Sequence, residues 1–356
     1  MTLPPAAIRS APKVVLHDHL DGGVRPATVA ELEVAAGVTP PAATPDAIAD
    51  WFYERADSGS LVDYLATFDR TLAVMQTAEN LRRVAREFVA DMVADGVVYA
   101  ETRWAPEQHR RGGLSLDEAV AAVQAGLDEG VAEAAAAGRR IVVGQLLSVL
   151  RHRDAMEDIA PLVVRWLGRG VLGLDVAGPE LGWPASRLRA GIEQVRAAGG
   201  RVTIHAGEAD GVASVADALR CGAERIGHGA RLVEDIDGVA LGPVATRVRD
   251  GGVVLEVCPS SNLQTGIART VAEHPFGTLH RLGFRLAVSC DNRLMSRTTT
   301  GRELTLLAGA FGLGLDDLER IAVDALAAGF APAAAREALL AGVVLPGYAA
   351  LREVRD

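Results

Sequence analysis

The sequence predicts a closed α/β barrel of the (β/α)8 type, with a helical insertion after the first strand and extra helices at the C-terminal end. Three observations carry that prediction. Eight apolar, β-branched runs recur along the chain, and most are followed by a helical pattern. Glycines stand where several of the intervening helices must stop. The residues able to do chemistry fall at the carboxyl ends of the runs, where barrels keep their active sites. With 356 residues and 49% apolar content, the chain can bury such a core as a single domain over 1–356.

The eight runs lie at 13–19, 97–104, 141–150, 171–178, 202–208, 225–232, 253–258 and 285–291. Helical stretches separate the later ones, at 116–137, 155–168, 185–198, 212–221, 243–250 and 275–282, with Gly138, Gly199 and Gly222 as C-terminal stops. Alternation of this kind implies parallel strands joined by right-handed crossovers. The connection from 23 to 95 is too long for a simple crossover. Within it Ser60 precedes Leu61, Tyr64, Leu65 and Phe68, which share one helix face, and Asp63 is placed to complete a capping box. Such a helix either packs on the barrel or overhangs its mouth as a lid. After the last strand, 302–314, 315–328 and 332–341 read as closing helices, the last with Pro332 at its first position.

A net charge of −10 and a pI near 5.4 argue against nucleic acid or an anionic membrane as partner and favour a small molecule. The N-terminal residues lack the apolar core of a signal peptide, and no uncharged apolar run is long enough to span a bilayer, so a cytoplasmic protein is expected. Cys221, Cys258 and Cys290 are few and scattered, as expected of reduced thiols. Nothing in the sequence speaks to oligomeric state.

The chemistry centres on VVLHDHLDGG at 14–23. On an extended strand His17 and His19 point to one face, so two imidazoles can reach one metal ion, and the strand breaks at Asp21-Gly22-Gly23. Taken alone, His-x-His is as well explained by ordinary strand-end histidines. The later strands, however, deliver His205 and Glu208 in HAGE, His228 in GHG, and Asp291 beside Asn292. Zinc is bound by His nitrogen and Asp oxygen, and catalytic sites leave one position for water, whose pKa drops to about 7 on the metal. A base near that water and an acid facing the substrate complete such a site, roles that suit His228 and Glu208. The only lysine, Lys13, precedes the first strand and cannot bridge two metals at the centre, so one metal ion per chain is the simpler reading.

LHDHLDGG, DVAG, HAGE, RIGHG, EVCPSSN and SCDNRLMS, in this order along nearly the whole chain, resemble the adenosine deaminase family of metal-dependent amidohydrolases, in its bacterial form. The resemblance implies a (β/α)8 barrel with one Zn2+ held by His17, His19, His205 and Asp291. It further implies Glu208 as the acid at purine N1 and His228 as the group that orients and deprotonates water. Gly178 would offer its amide to purine N3, Asp21 would meet the ribose 5′-hydroxyl, and Asn292 would donate to N7. The expected reaction is hydrolytic deamination of a 6-aminopurine nucleoside, with adenosine and 2′-deoxyadenosine as leading substrates. A modified adenine nucleoside such as aminodeoxyfutalosine, free adenine, and a nucleoside-binding protein without turnover are the alternatives. Pro179, Asp210 and Ser289-Cys290 depart from the family pattern and bear on specificity.

Overall fold

The computed structural model describes residues 3–353, so the ends of the unit expected over 1–356 lie outside the described residues. Eight parallel strands follow one another in chain order: β1 (Lys13–His19), β2 (Val97–Trp104), β3 (Val142–Leu150), β4 (Val171–Ala177), β5 (Arg201–Ala206), β6 (Arg225–His228), β7 (Val254–Val257) and β8 (Leu286–Val288). Helices surround them, and a two-residue hairpin pairs Ile236–Asp237 with Ala240–Leu241 after β6. The expected alternation is therefore the observed one. The seam between β8 and β1 is closed just past β8: Asp291 N–H donates to His17 O (3.0 Å) and His19 N–H to Asp291 O (2.8 Å). Ser289 adds its hydroxyl, which accepts from the N–H groups of Leu16 and His17 at 3.2 Å each. This departure from the family pattern thus serves closure of the barrel.

Several strands end earlier than their apolar runs suggest, and the backbone gives the reason. Gly178, Gly207, His228 and Asp291 have φ of +89°, +71°, +60° and +60°, so the chain leaves the extended region at the mouth. Left-handed φ at His228 and Asp291, neither a glycine, is uncommon and clusters at functional sites.

The insertion after β1 forms five helices, Pro26–Ala35, Pro45–Ala56, Leu61–Leu65, Phe68–Val74 and Ala78–Ala94. The single helix face expected through Leu61–Phe68 is broken at Ala66-Thr67, where the Thr67 hydroxyl donates to Tyr64 O at 2.7 Å. Half of the capping box is made: Ser60 Oγ accepts from Asp63 N–H, while Ser60's own N–H donates to Ser58 Oγ. The C-terminal helices are Thr300–Phe311, Leu315–Ala328 and Ala333–Leu339, and the last continues through a wide turn at Leu340–Val344 to Glu353. That run is longer than the 332–341 expected. Among the described residues, Ala333–Glu353 is the one helical run long and apolar enough, on length and composition, to cross a membrane. It buries Leu339, Val344 and Tyr348, and the Tyr348 hydroxyl donates to Pro12 O just ahead of β1.

Inside the barrel, alternate residues of the strands face one another, and many are charged. Glu256 of β7 accepts from Arg225 Nε (2.6 Å), Arg103 (2.9 Å) and Thr203 Oγ1 (3.0 Å), and its Oε2 lies 2.9 Å from His17 Nδ1. Arg103 also meets Asp175 at 3.0 Å, and Arg225 meets Glu101 at 2.6 Å. All are fully buried. Burial pushes the Glu256 carboxyl up, but the two guanidiniums outweigh it and hold it well below the usual carboxylate range. Replacing Glu256 by Ala strands two buried guanidinium contacts, so Glu256→Ala is expected to cost about 3–5 kcal/mol in denaturant unfolding; a cost under about 1 kcal/mol would contradict this account of the interior.

Candidate active site

The carboxyl ends of β1, β5 and β6 and the turn after β8 converge at one mouth. His17 Nε2 is 3.4 Å and His19 Nε2 3.3 Å from Asp291 Oδ1, and His19 Nε2 is 3.3 Å from His205 Nε2. Four donors arranged tetrahedrally about zinc, at ligand bonds of about 2.1 Å, stand roughly 3.4 Å from one another. The three observed separations are of that size, and His17, His19 and Asp291 form one metal-capable trio.

The outer ring nitrogens are engaged elsewhere. His17 Nδ1 faces Glu256, and His205 Nδ1 lies 3.0 Å from both Asp175 Oδ1 and Val176 O. Contacts of this kind hold Nδ1 as N–H and turn Nε2 toward a metal. His17 Nε2 is buried with no hydrogen-bond partner, which suits a nitrogen reserved for an ion. Asp291 Oδ2 accepts from Ser261 Oγ at 2.6 Å. His228 forms a second, overlapping trio with His17 and His205, so distance alone does not separate a ligand from a proton-handling group there.

The environment of His228 does separate them. Phe276 N–H donates to His274 Nδ1 (3.0 Å), so the proton of neutral His274 sits on Nε2, 3.1 Å from Asn262 Oδ1. Burial keeps His274 neutral by lowering its pKa to about 4. Asn262 then presents its NH2 to His228 Nδ1 at 3.0 Å, which leaves the proton of neutral His228 on Nε2. Burial, then the neighbouring histidines, hold the His228 pKa well below the ordinary imidazole range. Its Nε2 lies 3.5 Å from Glu208 Oε2. Burial, with the Asp291 and Glu180 carboxylates nearby, pushes the Glu208 pKa well above its ordinary value, which favours its protonated form.

His19, Asp21, Gly178, His205, Glu208, His228, Asp291 and Asn292 all line one cavity; His17 lies buried beneath it. Leu61, Tyr64, Leu65 and Phe68 of the insertion form part of its wall. Asp21 Oδ1 and Asn292 Oδ1 are buried there without partners. Gly22 makes room for Asn292, because a Cβ at Gly22 would fall 1.8 Å from Asn292 Oδ1.

With this geometry in hand, comparison with known proteins is decisive. The model of the adenosine deaminase family matches residues 12–345. The adenosine deaminase of Mycobacteroides abscessus is 49% identical over 352 residues, which is 97% of each chain. The chain belongs to the adenosine deaminase family. It is therefore a hydrolytic deaminase of the amidohydrolase class. Among solved structures, an amidohydrolase from Burkholderia ambifaria with bound Zn superposes with a TM-score of 0.81 at 26% identity, covering 98% of this chain and 94% of its own. The adenine deaminase of Arthrobacter aurescens shares the fold, with a TM-score of 0.82 at 22% identity over 96% of this chain and 99% of its own.

For this adenosine deaminase relative, the departures in sequence have separate places. Pro179 lines the cavity; Asp210 does not, and its Oδ1 accepts from Gly211 N–H at 2.7 Å. Cys290 is buried against Thr300 Oγ1 at 3.2 Å. Sequence reasoning gave no role to Glu256, Asp175, Asn262 and His274, which orient the imidazoles, although Asp175 opens DVAG and Glu256 opens EVCPSSN. Asn262 stands within EVCPSSN, but a sequence motif does not say which ring it meets. Removing the donor to His228 Nδ1 with Asn262→Leu is expected to lower kcat roughly 10- to 100-fold with metal content unchanged; wild-type kcat in that variant would contradict the ordering of His228 described here.

Proposed function

We propose that this chain is a zinc-dependent aminohydrolase converting adenosine or 2′-deoxyadenosine to the 6-oxo nucleoside and ammonia. The observation that carries the reading is the metal-capable trio of His17, His19 and Asp291, with His205 Nε2 3.3 Å from His19 Nε2, beside Glu208, whose raised pKa favours its protonated form. These four residues would hold one Zn2+. Bound there, zinc supplies Lewis acidity, which lets water ionise near neutral pH. The relative named adenosine deaminase and the Zn-containing amidohydrolase support both halves of the reading.

The protein side chains divide the remaining work. Glu208 gives its proton to purine N1, which makes C6 electrophilic as water adds. His228, with Nε2 protonated, holds the attacking water by donating to its oxygen. The deprotonating role that the family resemblance assigns to His228 calls for the opposite tautomer, in which Nε2 is free to accept the water's proton. Gly178 offers its amide to N3, Asn292 contacts N7, and Asp21 accepts from the 5′-hydroxyl. Leu61, Tyr64, Leu65 and Phe68 exclude water from the cavity as a lid.

A second reading draws on His152 and Arg153, exposed residues that also line the cavity. The Arg153 charge suits a nucleoside with an anionic tail, such as aminodeoxyfutalosine, while partial burial and Arg153 lower the His152 pKa and favour its neutral form. Free adenine leaves Asp21 without a partner. We take the unit as a single domain over 1–356 acting in the cytoplasm on a small molecule, with neither nucleic acid nor membrane as partner; the buried free thiols Cys221, Cys258 and Cys290 suit a reducing compartment.

Zinc-loaded protein is expected to convert adenosine fastest in a panel with 2′-deoxyadenosine, adenine and aminodeoxyfutalosine, followed by the ultraviolet change and ammonia release; turnover of another member alone would move the assignment to it. Because Glu208 acts while protonated, kcat is expected to hold below its raised pKa and to fall as pH rises through it. Glu208→Gln is expected to keep its zinc and lose roughly 10²- to 10⁴-fold in kcat, and near-normal turnover would remove Glu208 from the acid role.

A further inference from the structure

Glu180 stands two residues beyond Gly178 in the loop after β4, outside the motifs described above. Its side chain is buried and accepts four successive main-chain N–H groups. Gly207 N–H donates to Oε1 at 2.7 Å, and Glu208, Ala209 and Asp210 donate to Oε2 at 3.0, 2.7 and 2.9 Å. Consecutive amides that converge on one point form a nest suited to an anion. Here the anion is a side chain of the protein itself. The nest begins at Gly207, whose φ of +71° reverses the chain directly after β5.

The other side of the same turn is held by Arg151, which is also buried. Its guanidinium donates to His205 O and, at 3.0 Å, to Trp183 O. The segment 205–210, which carries both His205 and Glu208, is thus gripped by a carboxylate on its amides and a guanidinium on its carbonyl.

We propose that Glu180 is a positioning residue for Glu208: its carboxylate fixes the 207–210 amides, holds the acid over the cavity, and ties that turn to the Gly178-Pro179 wall. The proposal rests on the reading of Glu208 as the acid. It needs a carboxylate and not merely a side chain of that size. Four N–H donors require acceptor oxygens on both branches, and a glutamine would replace one oxygen by an NH2 that faces donors. The Glu180 charge also lies near Glu208 and, after burial and Asp291, favours the protonated form of that acid.

The test uses Glu180→Gln and Glu180→Asp in the full-length, zinc-loaded protein. It reads kcat and KM for adenosine, zinc content, and backbone hydrogen exchange over 206–211. Glu180→Gln is expected to lose roughly 10- to 100-fold in kcat with KM within about threefold, to keep its zinc, and to exchange faster at 207–210 than elsewhere. Glu180→Asp, which keeps the charge, is expected to retain more of kcat than the amide variant. Unchanged kcat in Glu180→Gln would overturn the proposal. So would loss of zinc with faster exchange across the whole barrel in both variants, which would make Glu180 a general structural residue. If the wild-type protein fails to turn over adenosine, the functional reading fails by itself. The exchange data then decide on the grip alone: faster exchange confined to 207–210 supports it, and unchanged exchange there overturns it.

Discussion

Asp291 exchanges main-chain hydrogen bonds with His17 and His19, and those bonds both close the barrel and set the distances among the donors at its mouth. A barrel has no free edge only if its last strand finds its first. Here β8 is only three residues long, and the remaining pairing falls to Asp291, helped by the Ser289 hydroxyl. The left-handed backbone at Asp291 is therefore imposed by closure, and the side chain that results points into the donor cluster. Closure and metal geometry are one constraint.

That constraint is supported from below by charge. A barrel interior is commonly filled with branched aliphatic side chains, but this one places Glu256 among Arg103, Arg225 and His17. The arrangement leaves Glu256 ionised, so it fixes the His17 ring while its own charge is neutralised by arginines. At the mouth the balance reverses. Glu208 has no cation in hydrogen-bond contact, so burial favours its protonated form, and burial among other imidazoles favours neutral His228. Two titratable groups 3.5 Å apart are thus biased toward the forms that donate protons or hydrogen bonds.

The sequence made the barrel legible because strand and helix alternate in their periodicity, and the site legible because His17 and His19 are two residues apart and HAGE, GHG and SCDN sit at strand ends. Positions in space that depend on distant partners were not legible. Glu256 is 239 residues from His17, and no local pattern says that they touch. Glu180 grips amides, which carry no sequence signature. The tautomer of His228 depends on a chain of bonds that starts at a backbone N–H of Phe276, which motif reading cannot supply. The break at Ala66-Thr67 escaped notice because an unbroken face of Leu61, Tyr64, Leu65 and Phe68 gives the same spacing. At the C-terminus, the helix expected over 332–341 runs on through a wide turn to Glu353.

The account stands on one metal ion at the β8–β1 seam serving one acid. Its most direct test is to strip the protein of metal, return zinc in measured steps, and record bound zinc and adenosine turnover on the same samples. The account predicts that turnover rises in proportion to bound zinc and levels off at one ion per chain. Full turnover by metal-free protein, or a rise that continues to two ions per chain, would contradict it.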